Sequence, residues 1–156
     1  MLTILCGFPG CGKSTYVAGL QNGAIVICPD DFRVIMTGQN FYAPAEEAVW
    51  SAVKTAVRAL LLHKYDVIID ETSLTVGQRA QWIGIANEWS SQIKCIWFNV
   101  PVEVCRARNT QRDKVVPDDA FNRLVGSFVP PIMDEGFDEI VELSGIRNVQ
   151  AESPKR

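Results

Sequence analysis

Nine residues near the amino terminus, GFPGCGKST at positions 7–15, constrain the fold of this chain more than any other feature. They match the pattern G-x-x-x-x-G-K-[ST] between an apolar run, Leu2 to Cys6, and a segment of helical character. In that context glycines let successive backbone N–H groups turn toward an anion, and the following helix adds the positive end of its dipole. The motif therefore predicts a nucleoside triphosphate site at the end of a buried strand rather than an incidental glycine turn.

The chemistry of this loop predicts roles for single residues. Lys13 is expected to reach the β- and γ-phosphates of ATP as a catalytic residue, and the Ser14 hydroxyl is expected to bind Mg²⁺. A second Mg²⁺ ligand is available in YDVIIDET, where an apolar strand ends at Asp70, although a turn or cap role for Asp70 is the alternative. The loop residues expected to contact the nucleotide are Gly7, Phe8, Pro9, Gly10, Cys11, Gly12, Lys13, Ser14 and Thr15.

The remaining apolar segments are short and are separated by helical patterns. Strands are predicted at 2–6, 24–28, 67–69, 93–100 and 139–143, and several are continuously apolar, as expected of strands covered on both faces. Helices are predicted at 44–63, at 75–89 with a Thr75–Gln78 capping box, at 102–111 and from Pro117 onward. This alternation predicts an α/β fold of three layers, a parallel sheet with helices on both faces.

Length and charge limit the classes of function. The 156 residues suit one domain, predicted at 1–146 with a loose polar tail at 147–156. A net charge of −3 argues against a broad basic surface that grips duplex DNA or anionic lipid. No apolar stretch approaches the ~20 residues of a membrane helix, the five cysteines show no CxxC spacing, and the single histidine, His63, is predicted to end a helix. We therefore expect a cytoplasmic protein with reduced thiols and no membrane partner.

The segment ICPDDFR, residues 27–33, places Asp30 at the carboxyl end of the second predicted strand. Parallel α/β sheets build their sites at that edge, where a carboxylate can take the proton of an acceptor hydroxyl during phosphoryl transfer. Asp30 could instead cap the following helix. The first interpretation makes Asp30 a catalytic base and Arg33 a substrate-binding residue.

A second basic segment, CRARNTQRDK, carries Arg108 and Arg112 four residues apart on one predicted helix face. A like-charge pair at this spacing costs about 0.2–0.5 kcal/mol, which a lid that closes over phosphates would justify. A solvated basic face is the alternative. The segment therefore predicts a small arginine-bearing lid.

Five segments occur in order along the chain: GFPGCGKST, ICPDDFR, VIIDETSLTVGQRAQW, NVPVEVCRARNTQR and VPPIMDEGFDEIVEL. Together they resemble the 5′-hydroxyl kinase module of the phage and animal polynucleotide kinase/phosphatases, over nearly the whole chain. The resemblance implies ATP as phosphate donor with Mg²⁺, Asp30 as general base and Arg112 as the catalytic arginine of the lid. The remaining expected contacts are Arg33, Thr72 and Arg79 with the acceptor, and Arg108 and Asn109 with the nucleotide.

The chain departs from that family at three points. Cys28-Pro29 precedes the aspartate, Glu71 adds a charge after Asp70, and no D-x-D-x-T phosphatase signature is present. The leading hypothesis is a kinase that phosphorylates the 5′-hydroxyl of an RNA or DNA end, contacts few nucleotides and acts beside a ligase, in the cytoplasm of a bacterium or a phage-infected cell. A kinase for a small hydroxylated molecule (nucleoside, sugar, antibiotic or cell-wall precursor) and a nucleotide-sensing switch are the alternatives. The sequence indicates no oligomeric state.

Overall fold

The computed structural model describes residues 1–20 and 23–144, which form five strands and six α-helices together with two short 3₁₀ turns. In chain order the elements are β1 Leu2–Cys6, α1 Lys13–Ala18, β2 Ile25–Ile27, α2 Pro29–Thr37, the 3₁₀ turn Ala43–Ala45, α3 Glu46–Leu62, β3 Val67–Ile69, α4 Val76–Glu88, β4 Ile93–Asn99, α5 Val102–Asn109, α6 Asp118–Ser127, the 3₁₀ turn Met133–Glu135 and β5 Glu139–Ser144. The tail predicted at 147–156 lies outside the described residues, as do positions 145–146 of the predicted domain.

The five strands form one parallel sheet in the order β2-β3-β1-β4-β5. At its centre, Ile4 of β1 lies opposite Ile69 of β3 and Cys95 of β4. The chain first builds the sheet on one side of β1 and then crosses to the other side. In open α/β sheets such a reversal leaves a crevice at the carboxyl ends of the strands, and the loop after β1 opens into it.

Both faces of the sheet are covered by helices, because successive side chains of a strand point to opposite faces. On β1, Leu2, Ile4 and Cys6 pack in the cluster that contains the buried side chains of α3 and α4. Leu5 packs in a second cluster with side chains of α1, α5 and α6. Every residue of β1 is buried. The predicted three-layer α/β fold is confirmed.

Most predicted helix boundaries lie within two residues of the observed ones, for identifiable local reasons. Thr75 and Gln78 form the predicted capping box, with Gln78 N–H donating to Thr75 Oγ1 at 3.2 Å and Thr75 N–H to Gln78 Oε1 at 3.0 Å. His63 occupies the C-cap of α3, as predicted. None of the helices in the described part of the chain combines the length and apolar composition that crossing a bilayer requires.

The predicted helix 102–111 is wrong at its carboxyl end. Helix α5 stops at Asn109, whose side-chain amide donates to the Val116 carbonyl at 2.8 Å and accepts from the Val116 N–H at 3.1 Å. A side chain that bonds the backbone in this way competes with helix continuation. Arg112 consequently lies beyond α5, and Arg108 and Arg112 do not share one helix face.

Candidate active site

A cleft of about 1390 Å³ opens at the carboxyl edge of the sheet. The parts of the chain that line it include the loop after β1, the start of α2, the loop between α2 and α3, the residues after β3, and the end of α5 with the segment that follows it. Its volume exceeds the ~300–1,000 Å³ typical of a site for one small ligand, which leaves room for two substrates. The predicted site residues that line it are Pro9, Gly10, Cys11, Gly12, Lys13, Ser14, Thr15, Asp30, Arg33, Asp70, Thr72, Arg108 and Arg112.

Two glycines give the loop after β1 its curvature. Gly10 and Gly12 have φ values of 85° and 107°, in the left-handed region that side chains rarely adopt. A Cβ atom on Gly10 would come within 2.4 Å of the Cys105 carbonyl oxygen, because the loop lies against the backbone of α5. Gly12 is the N-cap of α1, and a Cβ atom there would meet no atom within 4 Å. The backbone thus approaches the cleft without a side chain in the way.

Lys13 lies across this loop. Its Nζ donates to the carbonyl oxygens of Gly7 at 2.7 Å and Phe8 at 3.0 Å, and Cys11 Sγ lies 3.6 Å away. An ammonium group has three N–H donors, and a thiol sulfur is a weak acceptor that a phosphate oxygen can replace. Gly7 and Phe8 therefore contribute to the site through the carbonyls that hold Lys13, and neither residue lines the cleft.

Ser14 and Asp70 carry the side-chain oxygens that could coordinate Mg²⁺ at the phosphate loop. The Ser14 side chain is exposed in the first turn of α1, and Asp70 follows β3 in a half-buried position. Burial raises the pKa of Asp70, Lys13 lowers it, and the nearby Asp30 and Asp31 raise it. A hydroxyl and a carboxylate beside a phosphate site fit Mg²⁺, which is usually bound through one or two carboxylates and substrate phosphates.

Asp30 lies in the first turn of α2, not at its cap. Cys28 is the N-cap residue and makes no side-chain capping hydrogen bond, and Pro29 is the first helical residue. The capping interpretation of Asp30 is therefore wrong. The Asp30 side chain is 60% exposed, and Arg33 Nη1 donates to its Oδ1 at 2.6 Å. Among the described residues no group donates to its Oδ2, so this oxygen is available to a substrate.

Arg33 joins Asp30 to helix α3. Its Nε and Nη2 donate to the two carboxylate oxygens of Glu46, each at 2.8 Å, and its guanidinium lies 5.6 Å from the centre of the Trp50 ring. The Glu46 hydrogen bonds raise the pKa of Arg33, and Arg33 lowers the pKa of Glu46. The sequence analysis missed Glu46 and Trp50 as parts of the site. Trp50 lies outside the apolar stripe predicted for α3. A large aromatic residue off that stripe was the feature of the sequence that could have marked it as part of the site.

Glu71 is enclosed beside Asp70 and lines the cleft. Its Oε1 accepts hydrogen bonds from Trp82 Nε1 at 2.7 Å and from Ser73 Oγ at 2.8 Å. Burial raises the pKa of Glu71, while these two hydrogen bonds lower it. The acceptor side of the cleft thus carries a carboxyl group in an environment that disfavours its charge.

Arg79, predicted to contact the acceptor, lies outside the cleft. Its side chain is fully buried, and Nε and Nη2 each donate to a Glu135 oxygen at 2.7 Å. Nη1 donates to the carbonyls of Ser73 at 3.1 Å and Val129 at 2.9 Å. The predicted acceptor contact is wrong, because the protein itself engages this guanidinium.

Asn109 also has a structural role instead of the predicted nucleotide contact. It is buried, and both its amide oxygen and its amide nitrogen bond the backbone of Val116. This contact folds residues 110–116 back over the cleft, where the half-buried Arg108 and the exposed Arg112 line it. The two arginines reach the cleft as predicted, from a loop and a helix end rather than from one helix face.

Three comparisons with known proteins relate this chain to kinases. Residues 2–131 match the family model described as AAA domain. The chain is 29% identical over 148 residues to a bifunctional polynucleotide phosphatase/kinase of Schizosaccharomyces pombe, covering 91% of this chain and 33% of that protein. It is 23% identical over 139 residues to an L-seryl-tRNA(Sec) kinase of Methanococcus maripaludis, covering 84% of this chain and 53% of that protein.

A chain in the structure of the Pnkp1/Rnl/Hen1 RNA repair complex superposes with a TM-score of 0.69 at 29% identity, covering 81% of this chain and 43% of that chain. The chain thus spans between one third and about half the length of the curated relatives it matches. The resemblance to polynucleotide kinases inferred from the sequence is confirmed.

Proposed function

The chain belongs to the AAA domain family, and on that premise we propose that it is an ATP-dependent kinase that phosphorylates the 5′-hydroxyl of a nucleic-acid end. One observation carries the proposal: a single cleft contains the phosphate loop, an aspartate with an available carboxylate oxygen, and two lid arginines. The names of the polynucleotide phosphatase/kinase and of the RNA repair complex support a nucleic-acid acceptor.

The phosphate loop holds the donor. Its backbone N–H groups and Lys13 bind the β- and γ-phosphates of ATP, and Lys13 is kept in place by the carbonyls of Gly7 and Phe8. Ser14 and Asp70 are the residues that would hold Mg²⁺, which when bound neutralises charge on the phosphate oxygens. Burial raises the pKa of Asp70 and the nearby charge of Asp30 raises it further, so a cation at this position would stabilise the Asp70 carboxylate.

Asp30 supplies the base. Its Oδ2 accepts the proton of the acceptor hydroxyl while that oxygen forms a bond to the γ-phosphorus, and the bond from the γ-phosphorus to the bridging oxygen breaks to release ADP. Arg33 fixes Oδ1 at 2.6 Å and so orients the carboxylate. Arg112, with Arg108 beside it, stabilises the charge that develops on the transferring group.

Arg33 and Thr72 are the remaining candidates for positioning the acceptor. Both line the cleft on the side of Asp30. The guanidinium of Arg33 has five N–H donors, of which three are engaged by Glu46 and Asp30. Two donors are left for a substrate oxygen, so Arg33 can bind the acceptor only while it also holds the base.

Phosphate transfer from γ-labelled ATP tests this proposal. The wild type is offered Mg²⁺ with 5′-hydroxyl RNA and DNA oligonucleotides and, separately, a mixture of nucleosides. Asp30→Asn should lower kcat by roughly 10²–10⁴-fold, because it removes the base and keeps an oxygen for Arg33. Asp31→Asn is the matched control, since Asp31 is exposed on the same helical turn but does not line the cleft. Thermal melts should show both variants folded.

The results separate the proposal from its alternatives. Label on nucleosides alone would favour a kinase for small hydroxylated molecules, an alternative supported by the engagement of Arg33 by two carboxylates. Binding of ATP without transfer to any acceptor would favour a nucleotide-sensing switch. Retained activity in a folded Asp30→Asn variant would remove Asp30 from the base role. A functional association with a ligase and a cytoplasmic location stay predictions.

A further inference from the structure

The acceptor side of the cleft is poor in available positive charge. Arg33 is paired there with Asp30 and Glu46. Arg33 and Lys54 both lower the pKa of Glu71, so these cations already face carboxyl groups of the protein. A nucleic-acid end held here gains little from phosphate contacts, so another interaction must supply much of its binding.

Phe41 lines the cleft and, among the residues that the structure describes, belongs to neither of the two hydrophobic clusters. Its side chain lines the cleft and is 63% exposed, in the loop between α2 and the 3₁₀ turn that precedes α3. Within the described residues no aromatic ring or cation is in contact with its ring. Trp50, which also lines the cleft, already has the guanidinium of Arg33 over its ring. Phe41 is thus an exposed flat apolar surface in the cleft that also contains the proposed base.

We propose that Phe41 is the platform on which a nucleobase at the 5′ end of the acceptor stacks. This inference rests on the proposed function and specifies how the acceptor is recognised. A base offers a flat π-face whatever its identity, so stacking tolerates sequence and does not require neutralised phosphates. Stacking on Phe41 would therefore favour a nucleotide end over a sugar or another acceptor without a flat ring.

Steady-state kinetics with 5′-hydroxyl oligonucleotides test the inference. Phe41→Ala should raise the KM for the oligonucleotide by roughly 10-fold, the usual loss for one stacked base, and should leave the KM for ATP unchanged. Phe41→Trp should restore the wild-type KM because it restores a flat ring. Tyr42→Ala is the matched control: Tyr42 is the neighbouring aromatic residue, is 45% exposed, and does not line the cleft.

Abasic substrates distinguish stacking from any other effect of Phe41. An abasic site is placed in turn at each of the first three nucleotides of the oligonucleotide, and at one position the wild type should lose the same factor in KM that Phe41→Ala loses. Phe41→Ala should then lose nothing more on that substrate. Anisotropy of a labelled 5′-hydroxyl oligonucleotide in the Asp30→Asn background should show the same pattern in Kd.

The outcomes separate the two proposals. A wild type that labels oligonucleotides, with an unchanged KM in Phe41→Ala, overturns the stacking inference and leaves the proposed function standing. The inference also fails if Phe41→Ala still raises KM on all three abasic substrates, because its effect would then not depend on a base. A wild type that binds ATP but labels no oligonucleotide overturns the proposed function and the inference together.

Discussion

Glu71 is a single residue that lines the cleft at a cost to the stability of the protein. Its carboxyl group is enclosed, and its Oε1 accepts from Trp82 and Ser73. Ser73 itself is fully buried with a φ of 45°, so the turn after β3 is held in an unusual conformation next to this carboxyl group. The two hydrogen bonds need an acceptor oxygen at Glu71, but they do not need a charge.

We predict that Glu71→Gln stabilises the protein at pH 7. A glutamine keeps an oxygen for both donors and removes the charge. Because burial raises the pKa of Glu71, its favourable contribution is complete below the unfolded pKa of about 4.3 and is lost as pH rises through the folded pKa. The expected gain at pH 7 is on the order of 1 kcal/mol, or about 2–4 °C in Tm, and it should disappear below about pH 4.

Thermal melts of wild type and variant across this pH range measure that difference. Glu47→Gln is the matched control, because Glu47 is exposed on α3 and its substitution should leave Tm unchanged. A lower Tm for Glu71→Gln at pH 7 would mean that attraction to Arg33 and Lys54, both of which lower the pKa of Glu71, outweighs the cost of burial.

The contrast between predicted and observed site residues follows from the range of the interactions involved. The loop around Lys13 was predictable because its geometry depends on neighbouring glycines. Arg79 was not, because its partner Glu135 lies 56 residues further along the chain. A sequence marks an arginine as polar, but it does not show whether a distant carboxylate will enclose it.

At the scale of elements, the Arg79–Glu135 pair holds α4 against the turn before β5. Arg79 is fully buried, and it also donates to two backbone carbonyls, so its removal takes a donor from each carbonyl and the counter-charge from Glu135. Breaking a buried pair in this way typically costs about 3–5 kcal/mol. We therefore predict that Arg79→Ala lowers the free energy of unfolding by about this amount.

Denaturant unfolding measures this loss, and a surface pair provides the control. Arg58 donates to Glu88 with similar distances, 2.8 and 3.1 Å, but both side chains are well exposed. Arg58→Ala should cost about 0.2–1 kcal/mol. If Arg79→Ala keeps wild-type stability and only raises the KM for the acceptor, the buried structural role is wrong and the original acceptor prediction regains support.

The helices also show which element boundaries a sequence specifies. The start of α4 was predictable because the capping box is a local exchange between Thr75 and Gln78. The end of α5 was not predictable in this way. It depends on the hydrogen bonds between Asn109 and Val116, and these leave no periodic pattern in the sequence. Helix α5 thus ends two residues earlier than predicted, and Arg112 lies in the loop that follows it.

For the whole molecule, alternation of strands and helices was enough to predict a parallel sheet, but not the strand order. The order β2-β3-β1-β4-β5 depends on the face of the sheet over which each connection between two strands crosses. Because the strands are parallel, the residues after β1, β2 and β3 lie at one edge of the sheet, and the strand order makes these three strands neighbours there. The predicted site residues 9–15, 30 and 70 line one cleft for this reason, although they are widely separated in sequence.

The net charge of the whole protein leads to a prediction about the salt dependence of the reaction. With 18 acidic and 15 basic side chains, the protein can neutralise few phosphates outside the cleft. The affinity of single strands falls with salt by a slope of about −0.7 per phosphate contacted. One or two contacts predict that the KM for the oligonucleotide rises by roughly threefold to sevenfold between about 50 and 200 mM salt. Lengthening the strand from about 4 to about 16 nucleotides should leave KM unchanged.

The KM for ATP, measured over the same salt range, separates donor effects from acceptor effects. A rise of about 300-fold or more, as expected for six or more phosphate contacts on a single strand, would contradict terminal recognition. So would a KM that falls steadily with strand length. Either result would require a basic path along the protein surface, whereas the shallow slope requires only the cations near the cleft, Arg33, Arg108, Arg112 and Lys114. An acidic protein can act on a polyanion in this way because it binds the end of the strand and leaves the rest in solution.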